Sequence, residues 1–237
     1  MKATLFVSFG TTHQDAYQAA ISPLVQAIAE KTNGVVYEAI TSRFVKRKLL
    51  ERGVMIDSLE EALEKMKRDG VTQALVVSNF VMPAFEYERM IRLVEAYDFE
   101  ARFTPALLSR FEDQVKLVKI MEELHAEAGK ALYLLGHGSE HPSGAILSQL
   151  QLIADDLGLN HIYQSIDGFP GEAAAMKRLQ PDMPVVLVPL LYVAGDHGRN
   201  DTLKLAETLR QKGHLVKRVV VGLGEQPAIR ELTLQYV

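Results

Sequence analysis

Short apolar runs alternate along the chain with longer stretches in which apolar residues recur at helical spacing. Runs such as Val185-Val186-Leu187-Val188 are apolar at every position, which is typical of strands buried on both faces of a parallel sheet. The clearest predicted strands are Ala3–Ser8, Val35–Ile40, Ala74–Ser78, Ala131–Leu135, His161–Ile166 and Val185–Pro189. Weaker strand patterns cover Phe99–Phe103 and Leu215–Val219.

Amphipathic segments lie between these strands and predict helices. The longest are Ala16–Glu30, Leu59–Arg68, Phe111–Glu127 and Thr202–Gln211. Ser58 is followed three residues later by Glu61, which predicts a capping box at the start of the second of these helices. Strands that alternate with helices through short connections form parallel sheets with helices on both faces. The pattern therefore predicts an α/β fold.

The two halves of the chain also resemble each other. Residues 5–13 align with 133–141, residues 37–42 align with 163–168, and the segment from Val77 to Glu86 aligns with that from Val188 to His197. The three matches occur in the same order, each at the carboxyl end of a predicted strand. We therefore predict two similar α/β lobes that face a cleft: an N-terminal lobe of residues 1–128 and a C-terminal lobe of residues 129–237 that carries most of the metal-site residues.

Composition narrows the chemistry. The chain has 237 residues and no cysteine, which excludes disulfides, iron–sulfur clusters and thiolate zinc sites. The formal net charge of −4 gives no overall basic surface for nucleic acid. The N-terminus lacks a signal-peptide pattern, and no apolar run approaches the length of a membrane-spanning helix. We expect a soluble, cytoplasmic protein.

Candidate site residues follow from the rule that open α/β sheets bind ligands beyond the carboxyl ends of their strands. The second half offers His137, Asp167 and His197 at three such positions. The matching positions of the first half are those of Phe9, Thr41 and Glu86. Two imidazoles with one or two carboxylates suit Co²⁺, Fe²⁺, Ni²⁺ or Zn²⁺, and histidine can also accept a proton near neutral pH.

Each candidate has a structural alternative. His137 could cap a helix or pack in a turn, Asp167 could serve only the turn at Asp-Gly, and Glu86 could be a solvated first-turn residue. His197 could simply follow a helix N-cap formed by Asp196. The other histidines are expected at the surface (His125, His161 and His214) or at the rim of the cleft (His13 and His141).

Several motifs resemble those of the anaerobic-type sirohydrochlorin cobaltochelatases, a family of class II tetrapyrrole chelatases. They are Val-Ser-Phe-Gly-Thr-Thr, Ile-Thr-Ser-Arg-Phe-Val-Lys-Arg-Lys-Leu, Glu86-Tyr87, Leu-Gly-His-Gly-Ser-Glu-His, Ile-Asp-Gly-Phe-Pro, Val-Pro-Leu-Leu-Tyr-Val-Ala-Gly-Asp-His and Gly-Leu-Gly-Glu-Gln-Pro-Ala-Ile. They span nearly the whole chain in the order found in the family. The resemblance implies a two-lobed chelatase fold that binds the tetrapyrrole between its lobes.

The resemblance also implies insertion of Co²⁺ into sirohydrochlorin, or its reduced precursor, in anaerobic cobalamin biosynthesis. It matches His137 and His197 to the two metal-site histidines of the family. We expect Asp167 to bind the metal with them, and His137, His197 and Glu86 to carry catalysis. Asp167 stands where the family usually has glutamate, and residues 79–84 depart from the family pattern, which places Phe80 near the macrocycle. Co²⁺ is the expected metal substrate, with Fe²⁺, Ni²⁺ or Zn²⁺ as substitutes in vitro, and no nucleotide or redox cofactor is implied.

The polycarboxylate substrate requires cationic and hydrogen-bonding partners. We expect Arg43, Arg199, Thr11 and Ser139 to bind it, whereas Lys46–Lys48 fit a solvated helix face better. No nucleic acid or membrane partner is expected, and a homo-oligomer is left open. Two alternatives remain: a non-catalytic haem or tetrapyrrole carrier on the same fold, supported by Phe80 and Asp167, and a sirohydrochlorin ferrochelatase.

Overall fold

The computed structural model describes residues 1–237, with the exception of the side chain of His197. Its strands are β1 (Lys2–Ser8), β2 (Val36–Ile40), β3 (Asp57–Ser58), β4 (Gln73–Ser78), β5 (Glu100–Phe103), β6 (Ala131–Gly138), β7 (His161–Asp167), β8 (Val185–Leu190) and β9 (Val216–Arg218). Every predicted strand, including the two weaker ones, is present. The additional strand is the two-residue β3.

Helices connect consecutive strands, as predicted. They are α1 (Gln14–Ala16), α2 (Ser22–Thr32), α3 (Arg43–Glu51), α4 (Leu59–Arg68), α5 (Phe85–Glu95), α6 (Phe111–His125), α7 (Ile146–Asp156), α8 (Glu172–Met176), α9 (Asp196–Gln211) and α10 (Pro227–Leu234). A π-helical turn (Tyr17–Ile21) joins α1 to α2, and 3₁₀ turns cover Pro142–Ala145 and Leu223–Glu225. Of the described helices, none combines the length and apolar character needed to cross a bilayer.

The chain divides into two compact units, each with its own parallel sheet. Unit 1 comprises Met1–Ser109 and Arg230–Val237, and unit 2 comprises Arg110–Ile229. The strand order is β3-β2-β1-β4-β5 in unit 1 and β7-β6-β8-β9 in unit 2. When β3 is set aside, the two orders are the same, with β1 equivalent to β6, β2 to β7 and β4 to β8. The prediction of two similar lobes with parallel sheets is therefore confirmed.

The division between the units falls at Ser109 and Arg110, whereas the sequence pattern placed it near residue 128. One difference is helix α6, which follows the last strand of unit 1 but packs against α7 of unit 2, and the other is the segment Arg230–Val237, which belongs to unit 1. A helix that connects two repeats has the same amphipathic pattern whichever repeat it covers. Its assignment therefore depends on tertiary contacts.

Each sheet is buried by helices on its own faces. In unit 1, Leu5, Val7 and Val76 of the sheet pack with Leu63 and Met66 of α4. Helix α4 starts with the predicted capping box, in which the Ser58 hydroxyl accepts from the backbone of Glu61 and the Glu61 carboxylate accepts from the backbone of Ser58.

In unit 2, the equivalent core joins Tyr133 and Leu187 of the sheet to Leu205 and Leu209 of α9. Because helices cover the faces of the sheets, polar side chains can reach solvent at the carboxyl ends of the strands.

Candidate metal centre

Unit 2 carries the predicted metal-binding residues at three neighbouring strand ends. β6 pairs with β7 on one side and with β8 on the other, in parallel register. His137 is the penultimate residue of β6 and Asp167 is the last residue of β7. His197 is the second residue of α9, the helix that follows β8. All three residues therefore follow or end strands at the same edge of the sheet. The side chain of His197 lies outside the described part of the chain.

The His137 imidazole lies beside the Asp167 carboxylate. Its Nδ1 is 3.7 Å from Oδ2 of Asp167 and 3.3 Å from the carbonyl oxygen of Gly138. Two acceptor oxygens near Nδ1 favour the tautomer with the proton on that nitrogen, so that Nε2 carries the lone pair. The two side chains are 46% and 64% exposed, which leaves them accessible to a ligand.

Gly138 allows this approach because it has no side chain. Its φ is +77°, and a Cβ at this position would lie 1.6 Å from the Ser165 hydroxyl and 2.1 Å from the Asp167 carbonyl oxygen. The same Ser165 hydroxyl donates a 2.5 Å hydrogen bond to that Asp167 carbonyl. The end of β6 therefore lies directly against the end of β7, with His137 and Asp167 on either side of the contact.

The loops after β1 and β6 share one local geometry. The Ser139 hydroxyl accepts from the backbone N–H of His141 at 3.0 Å, and the Thr11 hydroxyl accepts from that of His13 at 3.2 Å. Each turn follows a glycine of positive φ. The predicted substrate-binding hydroxyls of Thr11 and Ser139 thus have a structural use in these turns.

Helices α5 and α9 start in the same way and place Glu86 and His197 at the same helix position. Glu86 is the second residue of α5, which begins after Ala84, as His197 is the second residue of α9. The Oε2 atom of Glu86 is buried and has no hydrogen-bond partner in the structure. A buried carboxylate oxygen without a partner is costly, so this atom is a candidate for contact with a ligand.

The alternative role given to Asp196 is corrected by the structure. The N-cap of α9 is Gly195, and Asp196 is the first helical residue, so Asp196 does not cap the helix. Arg199, a predicted substrate-binding residue, donates from Nε to the carbonyl of Ala194 at 3.1 Å. This hydrogen bond fixes the loop that leads to His197.

The basic cluster on α3 separates into paired and unpaired residues. Lys46 forms an ion pair with Glu61, and Lys48 forms one with Glu51 at 2.9 Å. Both lysines therefore behave as a solvated helix face. Among the described residues, the guanidinium of Arg43 has neither an ion pair nor a hydrogen bond.

Two other expectations change once side-chain packing is known. Phe80 packs against the core of unit 1, edge-on to Tyr87 with ring centroids 6.5 Å apart. This packing accounts for an apolar residue at position 80 without a bound macrocycle. Phe80 therefore does not favour the alternative of a non-catalytic tetrapyrrole carrier. The prediction of surface positions for His161 and His214 was wrong, since both residues are buried.

The sequence interpretation missed Ser165, which links His137 to Asp167 through their backbones. The Ser165 hydroxyl is 3.4 Å from the His137 carbonyl oxygen, and its backbone N–H donates to the Pro170 carbonyl at 2.6 Å. The available signal was a small hydroxyl residue two positions before Asp167 on a buried strand. Among the described side chains, no three metal-binding groups come together, and the one pair at this edge is that of His137 and Asp167.

Comparison of the fold with solved structures identifies the class of protein. SirB from Bacillus subtilis, solved with Fe³⁺, matches with a TM-score of 0.71 and 16% sequence identity, covering 99% of this chain and 93% of that chain. At this identity the match shows the chelatase fold. The fold class of this chain is thus that of the chelatase SirB.

Sequence comparison gives the family. The model of the family described as cobalt chelatase (CbiK) matches residues 2–237, and the chain therefore belongs to that family. The sirohydrochlorin cobaltochelatase of Salmonella typhimurium is 27% identical over 250 residues, covering 100% of this chain and 95% of that protein. The sirohydrochlorin cobaltochelatase CbiKC of Nitratidesulfovibrio vulgaris is 26% identical over 216 residues, covering 84% of this chain and 74% of that protein.

Proposed function

We propose that this protein inserts Co²⁺ into sirohydrochlorin, or into its reduced precursor, and that the carboxyl edge of the second sheet binds the incoming metal. The observation that supports this most directly is the pair of His137 and Asp167, with 3.7 Å between Nδ1 and Oδ2, in a member of the cobalt chelatase family. His197 is the second residue of α9, the helix that follows the adjacent strand, and would supply a third metal-binding side chain.

Insertion requires that the metal exchange its water ligands for pyrrole nitrogens while two pyrrole N–H protons leave. His137 would bind the metal through Nε2, because Nδ1 faces the Gly138 carbonyl and the Asp167 carboxylate. A carboxylate in this position orients the ring. Asp167 would therefore act on the metal through His137, and its exposed oxygens can also bind the ion directly.

Glu86 is proposed as a proton acceptor. The net reaction converts Co²⁺ and the metal-free macrocycle into the cobalt complex and two protons, which need a base on the protein. The Oε2 atom of Glu86 has no hydrogen-bond partner and is shielded from water. A carboxylate without competing donors can accept a proton from a bound N–H group.

Arg43 and Arg199 are proposed to bind the peripheral carboxylates of the substrate. The Arg43 guanidinium has no acidic partner among the described residues, so its donors suit a bidentate carboxylate bond. Arg199 shares the first turn of α9 with His197. The hydroxyls of Thr11 and Ser139 accept backbone N–H groups, which leaves their protons for hydrogen bonds to the same carboxylates.

The test is an insertion assay with sirohydrochlorin and Co²⁺, Fe²⁺ or Ni²⁺, followed by the change in absorption. Replacing the ligand in His137→Ala should slow Co²⁺ insertion more than about 100-fold, and Asp167→Asn should slow it about 10- to 100-fold. Both side chains are about half exposed or more, so the free energy of unfolding should change by less than about 0.5 kcal/mol.

His125→Ala is the matched control, because His125 ends α6 just before the amino end of β6. It should insert Co²⁺ at the wild-type rate. Insertion by His137→Ala at that rate would refute the assigned role. Tight tetrapyrrole binding without insertion of any metal would identify a carrier, and a preference for Fe²⁺ would identify a ferrochelatase.

A further inference from the structure

Three phenylalanines at the carboxyl edge of the first sheet are unusually exposed. Phe9 is 51% exposed, and Phe44 and Phe85 are each 56% exposed. Single exposed apolar residues are common on protein surfaces and need no explanation. Three aromatic rings that follow neighbouring strands of one sheet are a different matter, because all three lie at the end where such sheets bind ligands.

The topology brings the three residues to neighbouring positions. Phe9 directly follows β1, Phe44 is the second residue of the helix after β2, and Phe85 is the first residue of the helix after β4. β1 lies between β2 and β4 in the sheet. Neighbouring strands are about 4.8 Å apart, so these strand ends span about 10 Å, a width comparable to that of a tetrapyrrole macrocycle.

Backbone contacts hold Phe9 against the start of α3. The N–H of Ser42, the N-cap of α3, donates to the Phe9 carbonyl oxygen at 3.3 Å. The next residue, Gly10, approaches Val45 so closely that a Cβ would lie 3.1 Å from its methyl group. Arg52 also donates to the Thr12 carbonyl at 2.6 Å. The exposed rings therefore project from a fixed backbone and lose little freedom when a ligand binds.

Two arginines of α3 form no ion pair among the described residues, and one of them lies beside the Phe44 ring. Arg43 and Arg47 are four residues apart on α3, and the guanidinium of Arg47 lies 5.6 Å from the centroid of the Phe44 ring. Neither forms an ion pair within the described part of the chain, whereas Lys46 and Lys48 of the same helix are paired. Unpaired like charges at this spacing are unfavourable, and a bound carboxylate would relieve them.

We propose that Phe9, Phe44 and Phe85 form the apolar bed on which the tetrapyrrole lies, with Arg43 and Arg47 binding its peripheral carboxylates. The inference rests on the proposed function, and it adds the three rings and Arg47 to the residues that position the substrate. A flat aromatic ring with acidic arms matches exposed phenylalanines near arginines in both shape and charge.

A second copy of the chain fits this surface less well. In a two-fold symmetric contact the same patch meets itself, so the unpaired arginines of both copies would be brought together. Such a contact would cover the apolar rings but would add repulsion between like charges. A polycarboxylate covers the rings and neutralises the arginines at the same time.

The test is a titration of the full chain with metal-free sirohydrochlorin, followed by its absorption spectrum. Each of Phe9→Leu, Phe44→Leu and Phe85→Leu should weaken binding by about three- to tenfold, because the apolar volume remains but the ring is lost. Arg43→Gln and Arg47→Gln should also weaken binding and should reduce its dependence on salt concentration. A purely structural role for these residues would leave that salt dependence unchanged.

Val35→Ala is the control variant, since Val35 is 53% exposed but precedes β2 at the opposite edge of the same sheet. It should bind sirohydrochlorin as the wild type does. If the wild type inserts Co²⁺ and the phenylalanine variants bind the macrocycle normally, the inference is wrong while the proposed function stands. A change in oligomeric state with normal binding would mean that the patch is a self-association surface. A wild-type chain that binds no sirohydrochlorin would overturn both.

Discussion

At the scale of single residues, the candidate metal centre depends on a glycine. Gly138 combines a positive φ with a contact that leaves no room for a Cβ between β6 and the Ser165 side chain. A side chain at position 138 would meet two different costs. The backbone strain at positive φ is modest, whereas overlap with the neighbouring strand would force that strand to move. The close approach therefore matters more than the backbone angle for keeping His137 beside Asp167.

Gly138→Ala should lower the free energy of unfolding by about 2–5 kcal/mol, from about 1–2 kcal/mol of backbone strain and a further 1–3 kcal/mol of overlap. Co²⁺ insertion should fall as well, because the end of β7 is displaced. Gly129→Ala is the matched control: φ is +74° there, but nothing lies within 4 Å of the new Cβ. Urea denaturation of both variants measures the difference, and equal losses of stability would show that strain alone explains Gly138.

At the scale of elements, a hydrogen bond between a buried histidine of β7 and a carboxylate of α6 ties these two elements together within unit 2. The Nε2 atom of His161, whose side chain is fully buried, lies 2.7 Å from Oε2 of Glu122. Its Nδ1 lies 3.3 Å from the Tyr163 hydroxyl. Burial lowers the pKa of His161 below its ordinary value, although the hydrogen bond that its imidazole donates to the Glu122 carboxylate opposes part of this effect.

This pair makes the stability of the protein depend on pH. Because the pKa of His161 is lower in the folded chain than its ordinary 6.5, the unfolded chain binds more protons as the pH falls through that value. The free energy of unfolding should therefore decrease toward acid pH, by up to about 1.4 kcal/mol per pH unit from this residue. In His161→Gln the decrease between pH 7.5 and 5.5 should be smaller. Parallel curves for the variant and the wild type, measured by urea denaturation, would contradict this assignment.

At the scale of the whole molecule, two units of the same topology carry different chemistry at equivalent strand ends. Where unit 2 has His137 and Asp167, unit 1 has Phe9 and Thr41. An aromatic hydrocarbon cannot bind a metal ion, and a neutral hydroxyl is a poor ligand for Co²⁺ compared with an imidazole. The two units thus share a fold, but only unit 2 offers a histidine and a carboxylate at these two positions.

The chain should accordingly bind about one Co²⁺, as expected for a single histidine–carboxylate centre. His137→Ala should abolish this binding because it removes the imidazole of unit 2. Thr41→Ala, at the position equivalent to Asp167, should leave the stoichiometry unchanged. Equilibrium dialysis against Co²⁺ measures both, and two ions per chain, or one ion retained by His137→Ala, would contradict the difference between the units.

Much of the architecture follows from local patterns in the sequence. The apolar runs identified the strands, the spacing of Ser58 and Glu61 identified a helix start, and the repeated strand ends led to His137 and Asp167. These features depend on a few consecutive residues. Parallel strands bring their carboxyl ends to one edge of the sheet, where open α/β sheets bind ligands. The polar residues at these ends could therefore be predicted to form a site.

Features that depend on distant partners were decided only by the tertiary structure. The burial of His161 depends on Glu122, 39 residues away, and the pairing of Lys46 depends on Glu61, 15 residues away. The sequence by itself determined the α/β alternation, its duplication and the polar residues at the strand ends. Packing alone decided which charges are paired, which rings are exposed and how closely β6 approaches β7, because such contacts join residues that no local pattern connects.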